Sequence, residues 1–252
     1  MNKVGIKENS IFTKGSIENV IFDLDDTLFQ TGEYYKSNML EMAQYISKLL
    51  DDSSPESAER IYQEGVAIHK EIGHPMLLNK LMKLAIAKIY GDNLPNQVEI
   101  DSYLDKTVEL FYKGTPRLKE GALHVLDMLD TLSIRIGIHS HSQPEWTESK
   151  VRYIQNEFKE KYGRDIQLLF HSTSIEEKKD IQGWEDALKS FGFNPNTTLV
   201  VGDNLKDDIL PTQELGVRVL VLISNSRYSS NAQSKSDKDI IRIENIENLC
   251  EL

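Results

Sequence analysis

Apolar positions in this chain follow two patterns that exchange along its length. Five short runs, Val20–Phe22, Ile134–Ile138, Leu168–Phe170, Leu199–Val201 and Val217–Ile223, are apolar with no strict polar alternation. Runs of that length and character predict strands buried on both faces. A sixth, less apolar run is Asp239–Ile243. Between them lie segments with helical periodicity, Lys119–Leu132, Pro144–Lys161 and Trp184–Phe191. Alternating strands and helices predict an α/β fold, a doubly wound Rossmann-like parallel sheet.

From about Gln30 to Pro116 the alternation stops. Four amphipathic helices are predicted there, Tyr34–Leu50, Pro55–Glu71, Pro75–Tyr90 and Val98–Lys113. The breakers between them include Asp51–Pro55, Gly73–Pro75 and Gly91–Pro95. An all-helical block is therefore inserted after the first strand. The expected organisation is a loose lead-in over 1–16, an α/β core over 17–29 and 117–252, and a helical domain over 30–116. Ser224–Asp239, rich in Ser, Asn and Lys, is expected to be a surface loop.

Composition narrows the setting. The 252 residues carry a net charge of −11, which disfavours nucleic acid and anionic membranes as partners. No apolar run reaches the roughly 18 residues of a membrane helix, and the start MNKVGIKENSIFTKG has no secretory core. The one cysteine, Cys250, excludes an internal disulfide framework and a cysteine-based zinc site. A cytoplasmic location is the default expectation. No protein partner is identifiable.

Carboxylates then gather where the strands end. Ile21–Phe29 reads IFDLDDTLF, three acids in four positions at the carboxyl edge of the first strand. Ligands bind at that edge in such sheets, and crowded like charges usually share a cation. An acidic turn or helix cap would be the purely structural reading. Val200–Leu210, VVGDNLKDDIL, repeats the arrangement with Asp203 after Gly202 and the pair Asp207–Asp208 beyond. One of that pair could simply cap a helix. In Ile134–Ser142, IRIGIHSHS, Ser140 offers a hydroxyl that can donate to a phosphate oxygen; Ser142 could cap the helix that opens at Pro144. Glu176–Asp180, EEKKD, precedes the helix containing Trp184, and alone reads as a solvated charge run.

In their order these four segments resemble the haloacid dehalogenase superfamily of phosphohydrolases. The family pattern is D-x-D-x-T, then Ser or Thr, then Lys, then G-D with a later Asp. It is carried here by Asp23, Asp25 and Thr27, by Ser140, by Lys178 or Lys179, and by Gly202-Asp203 with Asp207-Asp208. The helical block stands where members with a helical cap carry it. The second Asp, Asp25, resembles the phosphatases and phosphomutases. Dehalogenase relatives lack it, because a leaving halide needs no proton donor.

The resemblance implies two-step phosphoryl transfer on a small phosphorylated metabolite. Asp23 would attack phosphorus, and Asp25 would protonate the leaving oxygen and then activate water. Thr27, Ser140, His141 and Lys178 or Lys179 would contact the phosphoryl group. Mg²⁺ is the implied cofactor, held by the carboxylates of Asp23 and Asp203 and the main-chain carbonyl of Asp25. Asp208 would support the metal, with Asp207 as the alternative. The His139–His141 pair could instead suggest a transition metal, without a third ligand placed by the sequence. Tyr34 and Tyr35 begin the block that helps read substrate in relatives, though on a helix a Tyr beside Leu and Met is more often core. Two other readings remain: a phosphomutase on the same scaffold, and a non-catalytic phosphate-binding or regulatory module.

Overall fold

The structure, a computed structural model, describes residues 11–12, 16–52, 54–72, 76–91, 94–175, 177–224 and 240–252. The chain divides into two compact units, Met1–Thr31 with Pro116–Leu252, and Gly32–Thr115.

The first unit is built on six parallel strands, β1 (Asn19–Phe22), β2 (Arg135–His141), β3 (Leu168–Thr173), β4 (Thr198–Gly202), β5 (Val219–Ile223) and β6 (Ile240–Ile243). Their order is β3-β2-β1-β4-β5-β6. The chain winds outward from β1 to β3, then crosses back to lay β4 on the other side of β1. The order therefore reverses between β1 and β4, and the crevice at such a switch point is where open α/β sheets bind ligands. Register places Phe22 opposite both Ile138 and Val201, so the segments after β1 and β4 emerge side by side.

Continuous apolar runs become two cores because successive side chains point to opposite faces. Val20 and Phe22 of β1, Leu199 and Val201 of β4, and Val221 and Ile223 of β5 face one core. They meet α5 (Ala122–Thr131) and α6 (Pro144–Tyr162) there. Ile21, Val200, Leu220 and Leu222 face the other, with Trp184, Ala187, Leu188 and Phe191 of α7 (Ile181–Phe191). Each such large side chain contributes about 1.5–3 kcal/mol when fully buried.

The second unit holds α1 (Thr31–Leu49, whose first residue belongs to the first unit), α2 (Pro55–Ile72), α3 (Leu78–Tyr90) and α4 (Gln97–Lys113). Its core includes Met42, Ile46, Ile61, Leu81, Met82, Leu104 and Phe111. Tyr34 donates to the Phe111 carbonyl at 3.0 Å, and its ring packs on the Phe111 ring at 4.9 Å.

Several expectations change. The lead-in is not loose at its described residues. Phe12 is buried in the sheet core, and the Ile11 amide donates to the Leu252 carbonyl at 3.0 Å. β2 runs through Ser140 to His141 instead of ending before them, because β3 pairs with it as far as Thr173. Ser142 caps nothing. The residue before α6 is Gln143, whose carbonyl accepts from the Trp146 and Thr147 amides, both at 3.1 Å. Most of the expected surface loop, 225–239, lies outside the described residues. Among the described residues, no helix is long and apolar enough to cross a membrane.

Candidate active site

The segment after β1 makes a tight turn. The Leu24 carbonyl accepts from the amides of Leu28 and Phe29 at 3.0 and 3.1 Å. Asp26 takes φ 58°, in the left-handed region that Asp tolerates better than most residues. The third acid of the cluster therefore shapes the turn. This turn follows Asp23 directly and carries Asp25.

Asp23 is buried. Its Oδ1 accepts from Lys179 Nζ at 2.6 Å, and its Oδ2 has no hydrogen-bond partner among the described residues. The same ammonium donates to Asp208 Oδ1 at 2.7 Å. Of the two adjacent lysines, Lys179 is buried in the cluster and Lys178 is exposed. Asp180 explains the local fold, because its carboxylate accepts from the Gln182 and Gly183 amides and caps α7.

Asp208 also orders the loop after β4. Its Oδ2 accepts from the amides of Asp203 and Asn204 at 3.1 and 3.0 Å. Neither Asp207 nor Asp208 is the helix cap. Asn204 caps the single π-helical turn Leu205–Ile209, accepting from the Lys206 and Asp207 amides, and α8 (Leu210–Glu214) follows. Asp207 instead accepts from Asn204 Nδ2 at 2.7 Å.

Asp23, Asp203 and Asp208 bring carboxylate oxygens within 4.8 Å of one another. Burial pushes the Asp23 carboxyl up to about 7, with Lys179 opposing the rise and Asp208 adding to it. Burial alone would lower Lys179, but the carboxylates of Asp208 and Asp23 outweigh it and hold the ammonium above its ordinary range. Three acids around one ammonium leave an excess of negative charge, and Asp23 Oδ2 is a buried acceptor with nothing to accept from among the described residues. An all-oxygen donor set of this kind fits a hard divalent cation.

Histidines do not compete for it. Among the described residues the acidic trio is the one metal-competent cluster, and neither His139 nor His141 belongs to it. His139 lies 2.9 Å from Thr173 Oγ1 through Nε2, and its ring meets Trp184 edge-on at 4.4 Å. His141 Nε2 donates to the Glu177 carbonyl at 2.8 Å, tying β2 to the loop that carries Lys179.

Ser140 is buried in a chain of hydroxyls. It lies 3.1 Å from Ser142 Oγ, which lies 2.7 Å from Thr147 Oγ1, which lies 3.0 Å from Ser172 Oγ. Ser140 Oγ also donates to Asp25 Oδ2 at 3.4 Å. The Thr27 hydroxyl is fully buried and has no hydrogen-bond partner among the described residues.

One group at the site lies outside every sequence motif. Lys150, on α6, is fully buried and ion-paired to Asp25 Oδ1. Burial lowers its pKa, and Asp25 opposes that shift. A signal for it exists in the sequence. Lys150 falls between Trp146 and Ile154 at helical spacing, on the buried stripe of α6.

A family model of haloacid dehalogenase-like hydrolases matches residues 17–216. The chain belongs to that family. It is a hydrolase by that membership. Two similar proteins are glyceraldehyde 3-phosphate phosphatases. That of Methanothermobacter thermautotrophicus is 22% identical over 94% of this chain and 99% of its own. That of Pyrococcus abyssi is 25% identical over 81% of this chain and 80% of its own. A similar solved structure is a haloacid dehalogenase-like family hydrolase from Xanthomonas campestris, with a TM-score of 0.64 and 15% identity over 94% of each chain. That likeness shows the fold.

Proposed function

We propose that this hydrolase removes phosphate from a small phosphomonoester through an aspartyl-phosphate on Asp23. The observation that carries this reading is the pairing at the turn after β1. Asp23 Oδ2 is a buried oxygen without a partner among the described residues, while Lys179 holds Oδ1 at 2.6 Å. Asp25, two residues on, is held separately by Thr31 at 2.5 Å and by Lys150. A nucleophile and a proton carrier thus have distinct surroundings.

In the first step an oxygen of Asp23 bonds to phosphorus as the bond to the leaving oxygen breaks. Asp25 gives that oxygen its proton, so an alcohol departs. In the second step water attacks phosphorus and releases Asp23. Asp25 takes the water's proton, returning to its starting state as orthophosphate leaves. Lys179 stabilises charge on the phosphoryl oxygens, and the hydroxyls of Ser140 and Thr27 donate to them. His141 keeps the Lys179 loop against β2.

Asp23 and Asp203 would hold Mg²⁺, with the Asp25 carbonyl as the family resemblance implies and Asp208 ordering the Asp203 loop. When bound it would offset the repulsion between an anionic nucleophile and an anionic phosphate. The helical unit, inserted between the Asp23–Thr27 turn and β2, is assigned the role of cap by its place in the chain. The named activity of the two archaeal relatives makes a three-carbon sugar phosphate the first substrate to try.

The test is a panel of phosphomonoesters, including glyceraldehyde 3-phosphate, assayed with Mg²⁺. Turnover abolished by Asp23→Asn and by chelator supports the reading. A folded, Mg²⁺-binding protein that turns over none of them overturns it.

A further inference from the structure

A fully buried lysine is rare unless it is paired, and a buried ion pair is a poor way to stabilise a fold. An apolar residue of similar volume usually serves stability as well or better, since desolvation of the charges cancels most of their attraction. Lys150 is such a residue: its side chain is wholly buried, and its partner Asp25 retains 28% side-chain exposure. The pair spans 125 positions of sequence. Two aromatic rings stand beside the ammonium. Nζ lies 3.3 Å from the ring centroid of Trp146 and 5.8 Å from that of Phe29. Such faces attract the cation without offering an acceptor atom that would compete for it.

The contact is specific to one oxygen. Asp25 Oδ1 accepts from Lys150 Nζ and from Thr31 Oγ1 at 2.5 Å. Asp25 Oδ2 accepts from Ser140 Oγ at the longer distance of 3.4 Å. The carboxyl group is therefore pinned through Oδ1, and Oδ2 is the oxygen turned toward Ser140. The lysine is itself well anchored. Its helix begins at Pro144 with Trp146 and Thr147 bonded to the Gln143 carbonyl. Thr147 joins the hydroxyl chain that reaches Ser140. Lys150 follows Thr147 by three positions on the same helical face. One rigid path thus fixes the ammonium relative to the end of β2.

We propose that Lys150 is a positioning residue for Asp25, holding Oδ1 so that Oδ2 delivers the proton to the leaving oxygen. The proposal rests on the phosphatase reading above. Its consequence depends on the leaving group. An alkoxide must be protonated as it departs, whereas p-nitrophenolate departs without help. Misorienting Asp25 therefore slows alkyl esters far more than p-nitrophenyl phosphate.

The experiment compares kcat/KM, which reports the first phosphoryl transfer, for β-glycerol phosphate and p-nitrophenyl phosphate. Wild type, Lys150→Met, Asp25→Ala and the double variant are assayed with Mg²⁺. Lys150→Met is expected to lose about 100-fold on the alkyl ester and less than about 5-fold on the aryl ester. In the Asp25→Ala background it is expected to change neither by more than about twofold, because two residues acting as one unit are non-additive. Equal losses on both esters, or an undiminished loss without Asp25, would overturn the proposal and leave the phosphatase reading standing. No turnover by wild type on either ester or on the wider panel overturns that reading, and this proposal with it. Should Lys150→Met fail to fold, Lys150→Gln, whose neutral amide is one bond too short to reach Asp25 in the same way, is judged by the same selectivity.

Discussion

Lys179 reaches across 156 positions of sequence to place its ammonium 2.6 Å from Asp23 Oδ1. It is the only cation bonded to that acid among the described residues, and its neighbour Lys178 faces solvent. Lys179→Met should therefore lower kcat/KM on any phosphomonoester by at least about 100-fold, as loss of a site's main charge-stabilising donor does. Lys178→Ala should stay within about twofold of wild type. Steady-state kinetics on the two variants check both, and equal losses would contradict the geometry.

Cation binding should be visible without turnover. A ligand that binds only the folded chain stabilises it by mass action, about 2.7 kcal/mol at a hundredfold excess over Kd. For a protein of this size that corresponds to a rise in Tm on the order of 5 °C. Asp203→Asn removes a carboxylate from the trio and should abolish the Mg²⁺-dependent rise. Thermal unfolding with Mg²⁺ and with chelator measures it.

Gly202 ends β4 directly beneath Asp208. A Cβ added there would stand 2.6 Å from Asp208 Cγ. Gly202→Ala forces Asp208 aside, costing its bonds to Lys179 and to the Asp203 and Asn204 amides. The expected result is a loss of about 1–3 kcal/mol in urea unfolding, the usual cost of overpacking, with activity falling more steeply than stability.

His139 gives stability a pH dependence. Burial, with Lys179 adding to it, holds its pKa well below the ordinary value. The folded chain thus keeps a neutral imidazole while the unfolded chain takes up a proton as pH falls below about 6.5. More protons bound to the unfolded state means that stability drops on acidification, by up to about 1.4 kcal/mol per pH unit from this residue. Asp23, raised in the fold, acts in the opposite direction. Urea unfolding at pH 7.5 and 5.5 should therefore show a smaller acid loss for His139→Gln than for wild type. An identical loss in the two proteins would show that His139 is not the source.

The core strands, most of the helices and the acid-bearing strand ends were legible in the local pattern of residues. Each core strand is a run of apolar residues whose burial on two faces needs no knowledge of its neighbours, and the helical block shows its 3.6-residue period locally. IFDLDDTLF and VVGDNLKDDIL could be placed at the carboxyl edge because each directly follows such a run. Periodicity also marked the buried face of α6, on which Lys150 lies.

Tertiary structure decided which of several similar groups meet. Lys178 and Lys179 are adjacent and chemically identical, and only the path of the loop after β3 buries one of them against Asp23 and Asp208. Asp207 and Asp208 differ in the same way: the π-helical turn aims one at Asn204 and the other at Lys179. Ser142 could have capped α6 by sequence, but β3 brings Ser172 within 2.7 Å of its carbonyl, and its hydroxyl joins a chain across strands. The bond from Lys150 to Asp25 joins α6 to the turn after β1, elements that meet only once the sheet has formed. Local sequence sets which face of an element is apolar; it does not say which charge on another element will stand opposite, because that follows from strand order and register.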